Sequence, residues 1–200
     1  MVEYNQVELE TYRGFQTKLY EGTVNDAVVN SEATPFNAMV FKQATFFLNV
    51  SVFTPTTKVG TTIAFVSATH KITDSGNGLA GFLTGDKITV SGSVANDGTY
   101  TIVTGGVAGE IVVSESLVDG VAGPTVTIKS VKTLDVKIVT QDPVSLAWLD
   151  LVAFTQKTAI GSEVKNVTAN LGDKIAVVVT PNSDGTGVIT LTVGAVFQIM

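Results

Sequence analysis

The chain has 200 residues, of which 44% are hydrophobic and 15% charged, and its formal net charge is −6. A charged share well below the usual value of about 25% leaves Thr, Ser, Asn and Gly to cover the surface, which favours sheets and turns over long helices. The absence of cysteine excludes a disulfide scaffold and a cysteine nucleophile. The negative charge without a Lys/Arg cluster predicts no nucleic-acid partner. The lack of any run of about 18 apolar residues predicts no membrane partner.

The first 35 residues combine weak periodicity with several aromatic rings and a surplus of acidic side chains. The rings belong to Tyr4, Tyr12, Phe15 and Tyr20. Either they pack on the chain's own core, or residues 1–35 form an extended N-terminal arm that lies across a neighbouring subunit. The second interpretation makes these four side chains candidate protein-interface residues. It also predicts that residues 1–20 stay disordered until a partner buries them.

Alternation of apolar and polar residues predicts β-strands from residue 36 onward. In the first strand, Phe46, Leu48 and Val50 share one face, and the strand ends at Pro55. Short strands separated by glycine-rich turns follow at 61–68, 88–91, 100–103, 110–115 and 125–128. Longer strands return at 134–138, 148–154, 164–168, 174–180 and 187–197. Trp148 is predicted to be a core residue packed under the strand that ends at Phe154.

The change from long to short strands and back predicts two domains. Short strands at roughly ten-residue spacing are typical of a small sandwich or barrel. We therefore predict an all-β chain in which residues 58–130 form a small β-sandwich or barrel domain. This domain is inserted into a β-sandwich or jelly-roll-like host domain made of residues 36–56 and 131–200. One continuous, larger sandwich is the alternative.

A short sequence pattern occurs twice. Gly85-Asp86-Lys87-Ile88 leads to Asp97-Gly98, and Gly172-Asp173-Lys174-Ile175 leads to Asp184-Gly185. A Gly-Asp turn that starts a strand and an Asp-Gly turn that ends it are typical of a hairpin. The pattern therefore predicts one hairpin in each domain.

No residue pattern indicates catalysis, a cofactor or a metal. His70 is the single histidine, so a histidine-rich zinc site is excluded, and its neighbours indicate a surface position at the end of a strand. Residues 76–81 match GxGxxG, but a strand follows too soon for the helix that a dinucleotide needs. Most acidic residues fall in turns, where local backbone hydrogen bonds explain them. We therefore expect that the chain is not an enzyme.

One region resembles a known family. The segments are TIAFV at 62–66, ITDS at 72–75, FLTGDKITVSGS at 82–93, NDGTYTI at 96–102 and EIVVSE at 110–115. Together they resemble a small β-module that recurs in virion proteins of tailed bacteriophages, among them head-decoration and tail proteins. The segments WLDLV at 148–152 and GDKIAVVV at 172–179 are similar, more generally, to phage β-sandwich or jelly-roll virion proteins.

The resemblance implies a bacteriophage structural protein of the virion, assembled in the host bacterial cytoplasm. It implies the major capsid protein or other virion subunits as partners, and a homo-oligomer within the particle. The preferred hypothesis is an auxiliary capsid protein that decorates the head exterior. The alternatives are a tail tube, fibre or baseplate component, and a carbohydrate-binding or adhesion module.

Overall fold

The computed structural model describes residues 14–25, 27–168, 171–182 and 185–198 of the chain. Within these ranges there are sixteen β-strands, one 3-10 turn at Ser67–Thr69 and no α-helix, which confirms the predicted all-β class. None of the described segments forms a helix long or apolar enough to cross a membrane.

Nine strands form two facing antiparallel sheets, which we call the sandwich. The first sheet has the order β1 (Gly14–Val24), β16 (Gly187–Gln198), β4 (Gln43–Pro55) and β14 (Gly161–Val167). The second has the order β13 (Trp148–Ala153), β12 (Leu134–Gln141), β15 (Lys174–Pro181) and β2 (Val29–Asn30). The remaining strand, β3 (Phe36–Asn37), also pairs with β15.

One apolar cluster lies between these two sheets. Alternation along β4 turns Phe46, Leu48 and Val50 inward, while Phe47 and Asn49 face out. The inward side chains of β16, β12 and β15 complete the cluster: Leu191, Val193, Phe197, Val136, Ile138, Val177 and Val179. Because each fully buried side chain of this kind contributes about 1.5–3 kcal/mol, this cluster holds the two sheets together.

The other seven strands form a third sheet, which we call the barrel. Its order is β5 (Thr57–Gly60), β11 (Val126–Ser130), β8 (Lys87–Ser91), β9 (Gly98–Thr104), β10 (Glu110–Val113), β7 (Lys71–Asp74) and β6 (Ile63–Val66). A second apolar cluster draws buried residues from six of these strands: Ile63, Ile72, Ile88, Ile102, Ile111 and Ile128. Since no other sheet contributes to this cluster, the sheet must curl around its own core as a partly open barrel does.

Hydrogen bonds join the barrel to the sandwich where the chain passes between them. Thr56 N donates to Thr186 O over 3.0 Å, and Ser130 Oγ donates to the same oxygen over 2.6 Å. Val131 N donates to Lys87 O over 2.8 Å. Both crossings are therefore fixed to one another and to the start of β16, and we call this region the junction.

The prediction of an N-terminal arm over residues 1–35 is wrong from residue 14 onward. β1 pairs with β16 along its length, with Phe15 opposite Phe197 and Val24 opposite Ile189. A bulge between Lys18 and the second half of the strand shifts the register by one residue. A bulge reverses which side chains face the core, so the alternation that would have indicated a strand is broken.

Only one of the two predicted hairpins is present. β8 and β9 pair directly, with Val90 opposite Gly98, as predicted. β15 and β16 belong to different sheets, so the second repeat of the pattern is a crossing between layers. Gly185 permits this crossing, because a Cβ at that position would lie 2.4 Å from Val131 O.

The prediction that Trp148 is a core residue is also wrong. Trp148 is half-buried and begins β13, which is an edge strand of its sheet. Phe197, in contrast, is fully buried and stacks on Phe36 with ring centroids 4.6 Å apart.

We expect Trp148→Ala to lower the free energy of unfolding by about 1 kcal/mol, because the ring leaves little empty space behind. Phe197→Ala should cost about 3–5 kcal/mol, because it opens a cavity in the core. Urea unfolding of both variants measures the difference. Equal losses for the two variants would contradict the packing described here.

Candidate interaction surfaces

The four residues predicted to form a protein interface fall into two groups. Phe15 and Tyr20 lie in β1 and pack, partly buried, against the sandwich core. Phe15 stacks on Phe36 and Phe41 at centroid distances of 5.7 and 5.9 Å. Tyr4 and Tyr12 lie outside the described residues. Phe15 and Tyr20 therefore pack in part on the chain's own core, and their contact with a neighbouring subunit stays a prediction.

The strand register defines one end of the sandwich, which we call the base. Gln141 pairs with Lys174, and Lys174 pairs with Asn37 in the same sheet. Gln43 pairs with Gln198 in the facing sheet. The opposite ends of these strands reach the junction, so the base is the side of the sandwich farthest from the barrel. The loops 38–42 and 142–147 lie there.

The base exposes several large apolar side chains: Met39, Val40, Val144, Leu146 and Leu149. Val144 is 89% exposed. Its turn is nevertheless well held, because Leu146 N donates to Asp142 O over 2.9 Å and Asp142 N donates to Ala147 O over 2.8 Å. Leu146 adopts a left-handed conformation with φ +60°, which is unfavourable for a bulky residue. The base therefore presents apolar side chains on a fixed, strained turn.

The far end of the barrel, which we call the tip, is formed by two loops. β8 starts at the junction and runs into loop 92–97, while loop 117–124 runs into β11, which returns to the junction. A cavity of about 240 Å³ opens between these loops. Phe65, Ala95, Val121, Pro124 and Val126 contribute its apolar lining.

Hydrogen bonds hold the two tip loops in place. The Asn96 side chain, which is buried, donates to Val118 O over 2.9 Å and accepts from Val118 N over 2.8 Å. Gly120 and Phe65 exchange two backbone hydrogen bonds of 2.8 and 3.0 Å. A Cβ on Gly120 would lie 3.1 Å from the Phe65 ring, so the wall of the cavity is closely fitted at this point. The cavity therefore exists without any partner.

Carboxylates at the tip are tied to the same loops. Asp97 accepts hydrogen bonds from the side chain and the backbone N–H of Ser93, which hold the pKa of Asp97 below its usual value. Asp119 accepts from the backbone N–H of Ser67 over 2.7 Å, and this bond lowers its pKa as well. Both carboxylates therefore stay ionised at neutral pH and fix the loop conformations.

The most buried carboxylate of the described residues belongs to Asp74, in the barrel. It accepts from Gly76 N and Gly78 N at 2.9 and 2.7 Å, from Thr62 Oγ1, and from Lys58 Nζ at 2.9 Å. Burial alone would raise the pKa of Asp74, but these hydrogen bonds outweigh it and hold the pKa well below its usual value. Lys58 lies on the edge strand β5 and Asp74 on β7, next to the other edge, so the ion pair ties the two sides of the curled sheet together.

A second saturated carboxylate, Glu163, lies on β14. It accepts from Thr155 N over 3.0 Å and forms ion pairs with Lys157 and Lys165. Burial alone would raise the pKa of Glu163. The hydrogen bonds from Lys157, Lys165 and Thr155 outweigh burial and lower this pKa to about 2. Because Thr155 follows β13, these contacts bind the edge strands of the two sandwich sheets to each other. Neither Asp74 nor Glu163 keeps a free oxygen for a substrate.

The remaining positions weighed for chemistry lie in turns and irregular backbone of the described chain. His70 is half-buried and ends the 3-10 turn in a left-handed conformation with φ +51°. Residues 76–81 form turns and irregular backbone. No group of three or more His, Cys, Asp or Glu side chains able to hold a metal ion occurs among the described residues.

Comparison with known proteins returned structural likenesses only. No protein-family model matches the chain, and no curated protein sequence matches it. The phage phi92 endosialidase is 14% identical over 78% of this chain, with a TM-score of 0.32. The chain spans 23% of the length of that endosialidase.

Two similar structures contain capsid proteins of bacteriophage P23-77. The complex of its two major capsid proteins, VP16 and VP17, is 9% identical over 86% of this chain and 98% of that chain, with a TM-score of 0.23. VP17 is 8% identical over 92% of this chain and 99% of its own length, with a TM-score of 0.20. Scores this low do not establish a common fold, and identities this low carry no functional information.

The Asp74 ion pair generates a prediction about stability and pH. Asp74→Asn should lower the free energy of unfolding at pH 7 by about 2–4 kcal/mol, because it removes charged hydrogen bonds from a buried site. The folded-state pKa of Asp74 is lowered, so its contribution is fully present above its usual value of 3.8 and is lost as the pH falls below it. The difference between wild type and variant should therefore shrink below pH 4.

The matched control is Asp150→Asn. Asp150 pairs with Lys137 at 2.6 Å, but its side chain is 70% exposed, so the change should cost less than about 0.5 kcal/mol. Denaturant melts of both variants from pH 7 to pH 2.5 test the prediction. A pH-independent loss at position 74 would show that the charge plays no part.

Proposed function

We propose that this chain is a structural subunit of a bacteriophage particle, an auxiliary or decoration protein on the exterior of the head. In this proposal the sandwich sits on the shell through its base, and the barrel projects outward. The observation that supports this proposal is the pair of exposed apolar surfaces, one at the base of the sandwich and one at the tip of the barrel.

The base has the properties of a surface that a partner covers. Single exposed apolar residues are normal, but a group at one end of a molecule indicates an interaction site. Covering apolar area contributes about 25 cal/mol per Å², and a turn such as 142–147, already fixed in place, loses little conformational freedom on binding. Val144 and Leu146 are the side chains best placed to anchor the chain to a neighbour.

The resemblance of residues 62–128 to the β-module of phage virion proteins supports the same proposal, since these residues make up most of the barrel. It favours the major capsid protein or another virion subunit as the partner of the base. A shell offers many copies of one site, so the chain would be present in many copies as well.

The proposal assigns no catalytic step to the chain. General acid–base chemistry needs a carboxyl group within reach of a substrate proton and with a pKa near the working pH. The hydrogen bonds around Asp74 and Glu163 move both pKa values in the opposite direction and occupy the oxygens. The role proposed for these two residues is to hold strands together.

The position of the protein in the particle is the first test. Antibodies against the purified chain, coupled to gold, should label the heads of intact particles in electron micrographs. Cryo-electron microscopy should then show density for the sandwich against the shell and the barrel further out. Labelling confined to the tail would refute the assignment to the head.

The base is tested by binding to particles that lack the chain through gene deletion. Val144→Asp with Leu146→Asp should weaken binding at least tenfold, because two charges would be buried in the interface. Val94→Asp at the tip, where the wild-type side chain is 90% exposed, is the matched control and should bind as wild type does. Both variants should keep the wild-type melting temperature. Unchanged binding by the base variant would refute the proposal that the base contacts the shell.

A further inference from the structure

The tip carries an inference that goes beyond the proposed function and does not depend on it. We propose that the cavity between loops 92–97 and 117–124 is a docking site for a protein segment in which one apolar side chain stands next to lysine or arginine. The occupant follows from the size of the cavity, its lining and its charge.

The cavity has the size of a single side chain. Its volume of about 240 Å³ lies below the roughly 300–1,000 Å³ of sites that bind whole small molecules. Val121 forms part of its rim and is 86% exposed, and Val94, in the facing loop, is 90% exposed. An apolar side chain placed between them would cover both valines as well as the cavity floor.

The cavity is already shaped before anything binds. Asn96 joins the two loops by paired hydrogen bonds to Val118, and Asp97 and Asp119 fix each loop to its own surroundings. A fixed site avoids the cost of ordering loops on binding, so even a small contact area can give measurable affinity.

The charge around the cavity selects the flanking residues of the partner. Residues 91–98 and 114–125 contain three acidic residues and no lysine or arginine. Lys58 pairs with Asp74 and Lys71 with Glu110, each at 2.9 Å, while Lys87 and Lys129 lie at the junction ends of β8 and β11. A cation beside the bound apolar side chain would therefore meet uncompensated negative charge.

The lining argues against a sugar as the occupant. Sugars stack on exposed aromatic faces, and Phe65, the one aromatic side chain lining this cavity, is only 5% exposed. A ring this buried does not offer its face to a sugar.

The test uses the full-length chain labelled with ¹⁵N and two synthetic peptides. One is a capped tripeptide of lysine, leucine and lysine, and the other replaces both lysines by glutamate. The lysine peptide should cause saturable shifts in the amide signals of Ala95, Asn96, Gly120 and Val121. The glutamate peptide should bind at least fivefold more weakly, and raising the salt concentration should reduce this difference, because salt screens exposed charges.

Two variants locate the site. Val121→Ser should weaken binding of the lysine peptide at least threefold, whereas Val144→Ser, an equally exposed valine at the base, should leave it unchanged. Asp119→Asn should reduce the preference for lysine over glutamate. Shifts that are absent, do not saturate or spread over the whole surface would overturn the proposal. Saturable shifts at the tip with maltohexaose and none with the lysine peptide would overturn it in favour of a carbohydrate site.

Discussion

The pairing between β4 and β16 is the interaction on which the rest of the structure depends. These two strands are the longest in the described chain and lie at the centre of their sheet, with β1 and β14 at its edges. Their inward side chains form one wall of the sandwich core. The same ladder continues to Pro55, opposite Gly187, where the chain leaves for the barrel. The pairing thus fixes the core and the point at which the barrel is attached.

Charged side chains hold edge strands in place, whereas apolar side chains are exposed at the base and the tip. The carboxylates of Asp74, which is buried, and Glu163, which is partly buried, are satisfied by lysines and backbone N–H groups, and each holds an edge strand in place: Asp74 through Lys58 on β5, and Glu163 on β14. An edge held in this way is less open to pairing with another chain. Exposed apolar side chains lie at both free ends, among them Val144 and Leu146 at the base and Val94 and Val121 at the tip.

Much of the fold could be predicted from local patterns, and the reasons for the failures are physical. Strict alternation identified β4, β8 and β16, since each buries one face and exposes the other. β5 and β7 were missed because they have four residues each and β7 turns one apolar and one acidic side chain inward. The bulge in β1 removed the alternation that would have separated a strand from an arm. The sequence therefore left open whether the rings of Phe15 and Tyr20 pack on the chain's own core, as they do in part, or on a neighbour.

The functional surfaces were beyond the reach of local patterns. The tip cavity depends on Asn96 bonding to Val118, twenty-two positions away, and on Gly120 pairing with Phe65. Neither contact can be recognised from the spacing of residues in the sequence. The exposed valines at both ends look like ordinary strand or turn residues in the sequence. Their position at the ends farthest from the junction identifies them as candidate interaction residues.

The geometry of the junction has a consequence for how such a chain can change. Ser130 N donates to Thr56 O over 2.9 Å, so the residues that precede and follow the barrel are direct neighbours. The two strands of the sandwich that lead there would need only a short turn to be rejoined. We therefore expect that residues 57–130 can be exchanged as one unit without disturbing the register of β4 and β16.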